Sequence, residues 1–125
     1  MQDTPIGTIE WHDLTVADAE PLSHFYEAVV GWQISGASMG DYEDFNLHSP
    51  GASSPVAGIC HARGVNKDIP PQWLMYVRVA NLSASIDAAE AQGGTLLVGP
   101  NRMGEEALCV IQDPAGAVIG LVGPQ

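Results

Sequence analysis

The chain has 125 residues, 46% of them hydrophobic, which is enough for one domain with a sizeable core. Its formal charge of -11 sets 15 acidic side chains against four basic ones, so phosphate backbones and anionic membranes are excluded as expected partners. No apolar run approaches the ~20 residues that cross a bilayer, residues 1–10 lack the blocks of a secretory signal, and Cys60 and Cys109 make no CxxC pair. A cytoplasmic protein with reduced thiols is the expectation.

Thr8 to Val16 reads as a strand. Asp18 suits an N-cap, Pro21 an early helical turn, and Gly31 the glycine that ends the helix. Between them Leu22, Phe25, Tyr26 and Val29 recur at i, i+3, i+4 and i+7, a helical stripe. Trp32 to Ser38, Tyr42 to His48 and Pro55 to His61 read as strands, the middle one with clear alternation. Gly64, Asn66, Pro70 and Pro71 mark a linker over residues 63–71. A strand over Gln72 to Val79 follows, then a helix over Leu82 to Gln92, capped by Asn81 and stopped by Gly93-Gly94. Thr95 to Gly99, Glu106 to Gln112 and Ala117 to Val122 complete the strands.

The order repeats. Val16-Ala17-Asp18 and Gly31 recur 63 positions later as Val79-Ala80-Asn81 and Gly94, and Ser49-Pro50 recurs 64 positions later as Asp113-Pro114. Half a chain this short cannot easily bury its own core, so two β-α-β-β-β modules are expected in a single α+β domain spanning residues 1–125. Module one covers about 6–62 and module two about 72–123.

Residues 11–18 (WHDLTVAD), Phe25-Tyr26 with Gly31-Trp32, Val56 to Ile59, Gly93-Gly94-Thr95 and Asp113-Pro114-Ala115-Gly116 resemble, in order and spacing, the vicinal oxygen chelate superfamily. That superfamily includes glyoxalase I, bleomycin-resistance proteins and extradiol dioxygenases. The resemblance implies a cup-shaped, eight-stranded mixed sheet with its helices outside and a ligand in the cup.

In metal-dependent members, one ligand lies on the first strand of each module and one on the last. Mapped residue by residue, those places are Trp11, Val56, Leu74 and Gly120. None carries an imidazole, carboxylate or thiolate, which a divalent ion needs in numbers. No metal and no cofactor is therefore expected. His61 is expected to face solvent, His24 to lie on the surface, and both cysteines to be small buried hydrophobes.

Strand parity then lines the cup. If Trp11 faces inward, so does Asp13, while Leu14 and Val16 pack on the helix side. The same rule turns Leu74, Tyr76 and Arg78 inward, with Arg78 free to pair with Asp13 or Asp44. Phe45 and Leu47 meet the helix, leaving Tyr42, Asp44, Asn46 and His48 inward. The repeat places Glu106, Leu108, Val110 and Gln112 on the matching face. Aromatic walls with a few polar groups describe a small-molecule site, suited to a flat or cationic ligand.

The expected function is a metal-independent small-molecule-binding protein, acting as a homodimer. The alternative is a divalent-metal-dependent lyase, isomerase or dioxygenase of the same superfamily. A metal-free enzyme using His48, Glu106 or Tyr76 for proton transfer lies between them.

Overall fold

A computed structural model describes residues 4–125 of the chain. Eight strands and two α-helices follow in the order β1 (Ile9–Val16), α1 (Ala19–Val30), β2 (Gln33–Ser38), β3 (Glu43–His48), β4 (Ala57–His61), β5 (Trp73–Arg78), α2 (Leu82–Ala91), β6 (Thr95–Met103), β7 (Glu106–Gln112) and β8 (Val118–Pro124). They form one mixed sheet in the hydrogen-bonding order β2-β3-β4-β1-β5-β8-β7-β6. The expected β-α-β-β-β doubling is present.

The chain divides into two compact units. One, called here the α1 unit, is His12–Trp73; the other, the α2 unit, joins the stretch up to Trp11 with Leu74–Gln125. The boundary falls inside β1 because Gly7 and Thr8 exchange backbone hydrogen bonds with Arg78 (2.8 and 2.9 Å).

In the α1 unit, β1 runs parallel to β4, and β3 is antiparallel to both β4 and β2. Leu14, Ala19, Leu47, Ala57 and Ile59 form its buried core, with Val16, Leu22, Tyr26, Ile34 and Phe45 packed around them. Each fully buried Leu or Ile contributes about 1.5–3 kcal/mol over an exposed one. These residues fix α1 on one face of the sheet, the face assigned to Leu14, Phe45 and Leu47 by alternation.

The α2 unit repeats the plan, with β5 parallel to β8 and β7 antiparallel to β8 and β6. Leu82 and Ile86 of α2 pack on Ala107, Cys109 and Leu121, backed by Val79, Leu96 and Ile111. The opposite face carries Leu74, Tyr76, Val98, Val110 and Val122, all buried as well.

The helix ends follow local chemistry. Gly31 adopts φ 89°, a left-handed conformation that costs glycine nothing, and its N–H bonds Glu27. Asn81 caps α2 by accepting from the Ala84 N–H at 2.8 Å. Asp18 occupies the N-cap of α1 without making that bond.

β6 is longer than the expected Thr95–Gly99 and runs on to Met103. A register shift between Val98 and Asn101 lets Gly99 and Pro100 pass, so the Gly-Pro pair marks a bulge and not a strand end. No helix among the described residues is long and apolar enough to cross a membrane.

Candidate functional site

Three ladder rows build the face of the α1 unit turned away from α1. Asp13 pairs with Gly58, Gly58 with Asn46, and Asn46 with Ser35. Thr15 pairs with Cys60 on one side of this row, and His48 pairs with Gln33 on the other. Asp13, Asn46 and His48 therefore share the face that alternation assigned to them.

His48 is held from one side only. Its Nε2 lies 2.9 Å from Ser35 Oγ, while its buried Nδ1 has no hydrogen-bond partner among the described residues. A serine-histidine pair lacking a carboxylate on the far ring nitrogen lacks the group that orients a nucleophilic triad.

Cys60 is not the inert hydrophobe expected. Its thiol lies 3.5 and 3.4 Å from the two carboxylate oxygens of Asp13 and acts as a donor. Burial, and then the charges of Asp13 and Asp44, push its pKa far above the usual thiol value. Cys109, in the core behind α2, is raised to about 11 by burial alone. Neither thiol is ionised near neutrality, so neither is a nucleophile.

Asp44 is only 6% exposed. Its Oδ1 accepts the backbone N–H of His61 at 2.8 Å and lies 3.3 Å from His61 Nδ1. The expectation of a solvent-facing His61 is thereby corrected. Its side chain packs among the Tyr42 and Phe45 rings and reaches within 4.0 Å of Asp18, whose carboxylate faces this imidazole instead of capping α1. Tyr42 precedes β3, and the Arg63 guanidinium stacks 4.0 Å over its ring. His24 lies on the surface beside Glu27, as its sequence position suggested.

The matching face of the α2 unit is mainly apolar. The pairs Tyr76–Gly120 and Gly120–Val110 form its central row. The Tyr76 ring covers Gly120 so closely that a Cβ built there would sit 2.3 Å from two ring carbons. Arg78 finds its partners within its own unit. Its guanidinium bonds Glu106, with Nη2 to Oε1 at 3.1 Å and Nη1 to Oε2, and grips Glu10 through Nε and Nη2. Those bonds hold the Glu106 carboxyl below the usual carboxylate range and raise Arg78. Gln112 is also committed, since its Nε2 donates to Gly116 O across the β7–β8 turn. Asn101, paired with Leu108, has a buried Nδ2 with no partner among the described residues.

Equivalent rows in the two units correct one mapping. Tyr76 pairs with Gly120 as Asp13 pairs with Gly58, so Gly58, and not Val56, is the counterpart of Gly120. The two-residue change keeps parity and still offers no donor side chain. Val56 precedes β4 and is 45% exposed. None of Trp11, Gly58, Leu74 and Gly120 carries a ligating side chain, and the Tyr76 ring fills the space beside Gly120.

Residue chemistry gave little warning of Ser35, Glu10, Cys60 or Asn101. Ser35 and Glu10 owe their roles to cross-strand partners, and Asn101 to the β6 bulge. Cys60 was legible by parity, since it shares a face with Gly58.

Residues 8–121 match the family described as the Glyoxalase/Bleomycin resistance protein/Dioxygenase superfamily. Two curated relatives, from Mycobacterium bovis and Mycobacterium tuberculosis and both named "Putative glyoxylase CFP32", are 26% identical over 122 residues, covering 92% of this chain and 45% of their own length. The chain thus spans less than half the length of these relatives. Among solved structures, methylmalonyl-CoA epimerase from Mycobacterium tuberculosis aligns with a TM-score of 0.54 and 22% identity, covering 100% of this chain and 93% of that one. A hypothetical protein, BH1468, from Bacillus halodurans aligns with a TM-score of 0.55 and 8% identity, covering 95% of each. At such identities the likeness to solved structures is one of fold. The match over residues 8–121, on a sheet made of two β-α-β-β-β repeats, makes this chain a member of the Glyoxalase/Bleomycin resistance protein/Dioxygenase superfamily.

Proposed function

We propose that this chain binds a small organic molecule on the strand face of a unit turned away from that unit's own helix, without the divalent ion of metal-dependent members. The Tyr76 ring over Gly120 carries this reading. It occupies the place from which a last-strand carboxylate would project. Asp13, Asn46 and His48 are the proposed contacts in the α1 unit, and Trp11, Leu74 and Tyr76 those in the α2 unit, each face taken by itself.

Electrostatics narrows the ligand. Arg78 is closed by two carboxylates, and the net charge of -11 repels anions at long range. An uncharged or cationic ligand is favoured over an anionic one. Free Cys60 and Cys109 suit a reducing, cytoplasmic setting.

Elemental analysis of purified protein, joined to a thermal-shift screen of cationic aromatics, neutral aromatics and small carboxylic acids, tests the proposal. Ligand binding to the folded state raises its melting temperature by mass action. A neutral or cationic hit that is weakened by His48→Phe is expected. Stoichiometric zinc, nickel, manganese or iron would overturn the metal-free reading and restore the lyase, isomerase or dioxygenase alternative.

A further inference from the structure

Pro21 leaves the start of α1 short of a donor. An N-cap side chain accepts from the backbone N–H two or three residues further on. In α2, Asn81 takes the N–H of Ala84, three residues later, at 2.8 Å. The same place after Asp18 is Pro21, which has no N–H. Asp18 keeps the extended N-cap backbone, with φ -133° and ψ 95°, yet makes no side-chain cap bond. Its carboxylate, 75% exposed, turns to His61 and lies 4.0 Å from Nε2.

His61 is held at its other ring nitrogen. Asp44 Oδ1 lies 3.3 Å from Nδ1 and also accepts the His61 backbone N–H at 2.8 Å. An ionised carboxylate only accepts, so in this contact Nδ1 carries the proton. A neutral ring then turns a bare lone pair at Nε2 towards the Asp18 anion, which is repulsive. A doubly protonated ring offers one N–H to each carboxylate. The remaining neighbours do not compete for the imidazole. Tyr42 meets it edge to face at 5.5 Å, and Phe45 lies at 6.4 Å. Arg63 stacks on the Tyr42 ring and lies 3.9 Å from Asp41. Glu43 lays its carboxylate over Gly36 of β2.

We propose that Asp18, His61 and Asp44 form a proton-operated latch on the N-terminus of α1. When His61 takes up its second proton, Asp18 is drawn to Nε2 and ties the start of α1 to β3 and β4. When that proton leaves, Asp18 is released. Pro21 withholds the N–H that would otherwise keep this carboxylate on its own helix. Histidine changes charge between about pH 5 and 8, where carboxylates are ordinarily ionised. The latch therefore closes on acidification within that range. It bears on a packed element, because Ala19, next to Asp18, is fully buried in the α1 unit.

NMR titration of the full chain between pH 5 and 8, following Asp18 Cγ and His61 Cε1, tests the latch. The Asp18 signal is expected to move with the same midpoint as the His61 signal, and this step should vanish in His61→Gln. Pro21→Ala restores a backbone donor three residues after Asp18 and should cut the step by about half or more. Asp18→Asn should lower Tm by about 1–4 °C more at pH 5.5 than at pH 8, the worth of an exposed ion pair in a chain of this size. Circular dichroism checks that each variant folds; if His61→Gln does not, Asp18→Asn, at an exposed position, carries the test through its Tm difference. An Asp18 signal that stays flat while His61 titrates overturns the inference. So does a step unchanged in Pro21→Ala, or an Asp18→Asn loss equal at the two pH values.

Discussion

Replacing Gly120 by alanine tests the packing on which the metal-free reading rests. The added Cβ would lie 2.3 Å from Tyr76 Cδ2 and Cε2 and 2.8 Å from Cγ. Tyr76 is 7% exposed, so its ring cannot swing into solvent. Overpacking of this kind costs typically about 1–3 kcal/mol. Alanine also restricts the unfolded chain, returning about 0.4–1 kcal/mol. The net loss should be about 1–2 kcal/mol. Unfolding entropy near 2.1 cal/mol/K per residue converts this to a fall in Tm of about 4–8 °C for a chain this long. Calorimetry on Gly120→Ala, Tyr76→Leu and the double variant separates the clash from general damage. The double variant should be less destabilised than the sum of the singles, because removing the ring relieves the contact. A Gly120→Ala protein that melts with the wild type, or strictly additive losses, would refute the argument.

Three further outcomes follow from the charge and polarity of the two faces. Glu106 is held below its ordinary value of 4.5 by Arg78, so its contribution is fully present above that pH and is lost as pH falls through the lower folded value; acid unfolding of Arg78→Met should lose part of this dependence, as followed by circular dichroism. Native protein at pH 8 should leave Cys60 and Cys109 largely unlabelled by a thiol reagent, with two thiols appearing in denaturant, because both pKa values are raised by burial. By the same shift, the contribution of Cys60 is complete below its unfolded value of 9.0 and is lost as pH climbs towards the higher folded value. Asn101→Leu should raise Tm by a few degrees, since an unpaired buried amide costs about 1–3 kcal/mol; a marked fall instead would mean that the amide is bonded in solution.

Features that depend on local period and turn chemistry were legible along the chain. Alternation separated Leu14, Phe45 and Leu47 from Asp13, Asn46 and His48, because a strand turns successive side chains to opposite faces whatever it pairs with. Gly31 and Asn81 marked helix ends because a left-handed turn and a side-chain cap are local events. The doubled order of elements followed from the same signals met twice.

The partners of each polar group emerge from the folded arrangement. Arg78 closes on Glu10 and Glu106, Asp44 on His61, and Cys60 on Asp13, and every one of these partners comes from a different strand or loop. Cross-strand register also moved one inherited position from Val56 to Gly58, which a count along the chain could not register. Parity tells which way a side chain points, but its neighbour depends on strand alignment, and alignment is a property of pairs of strands.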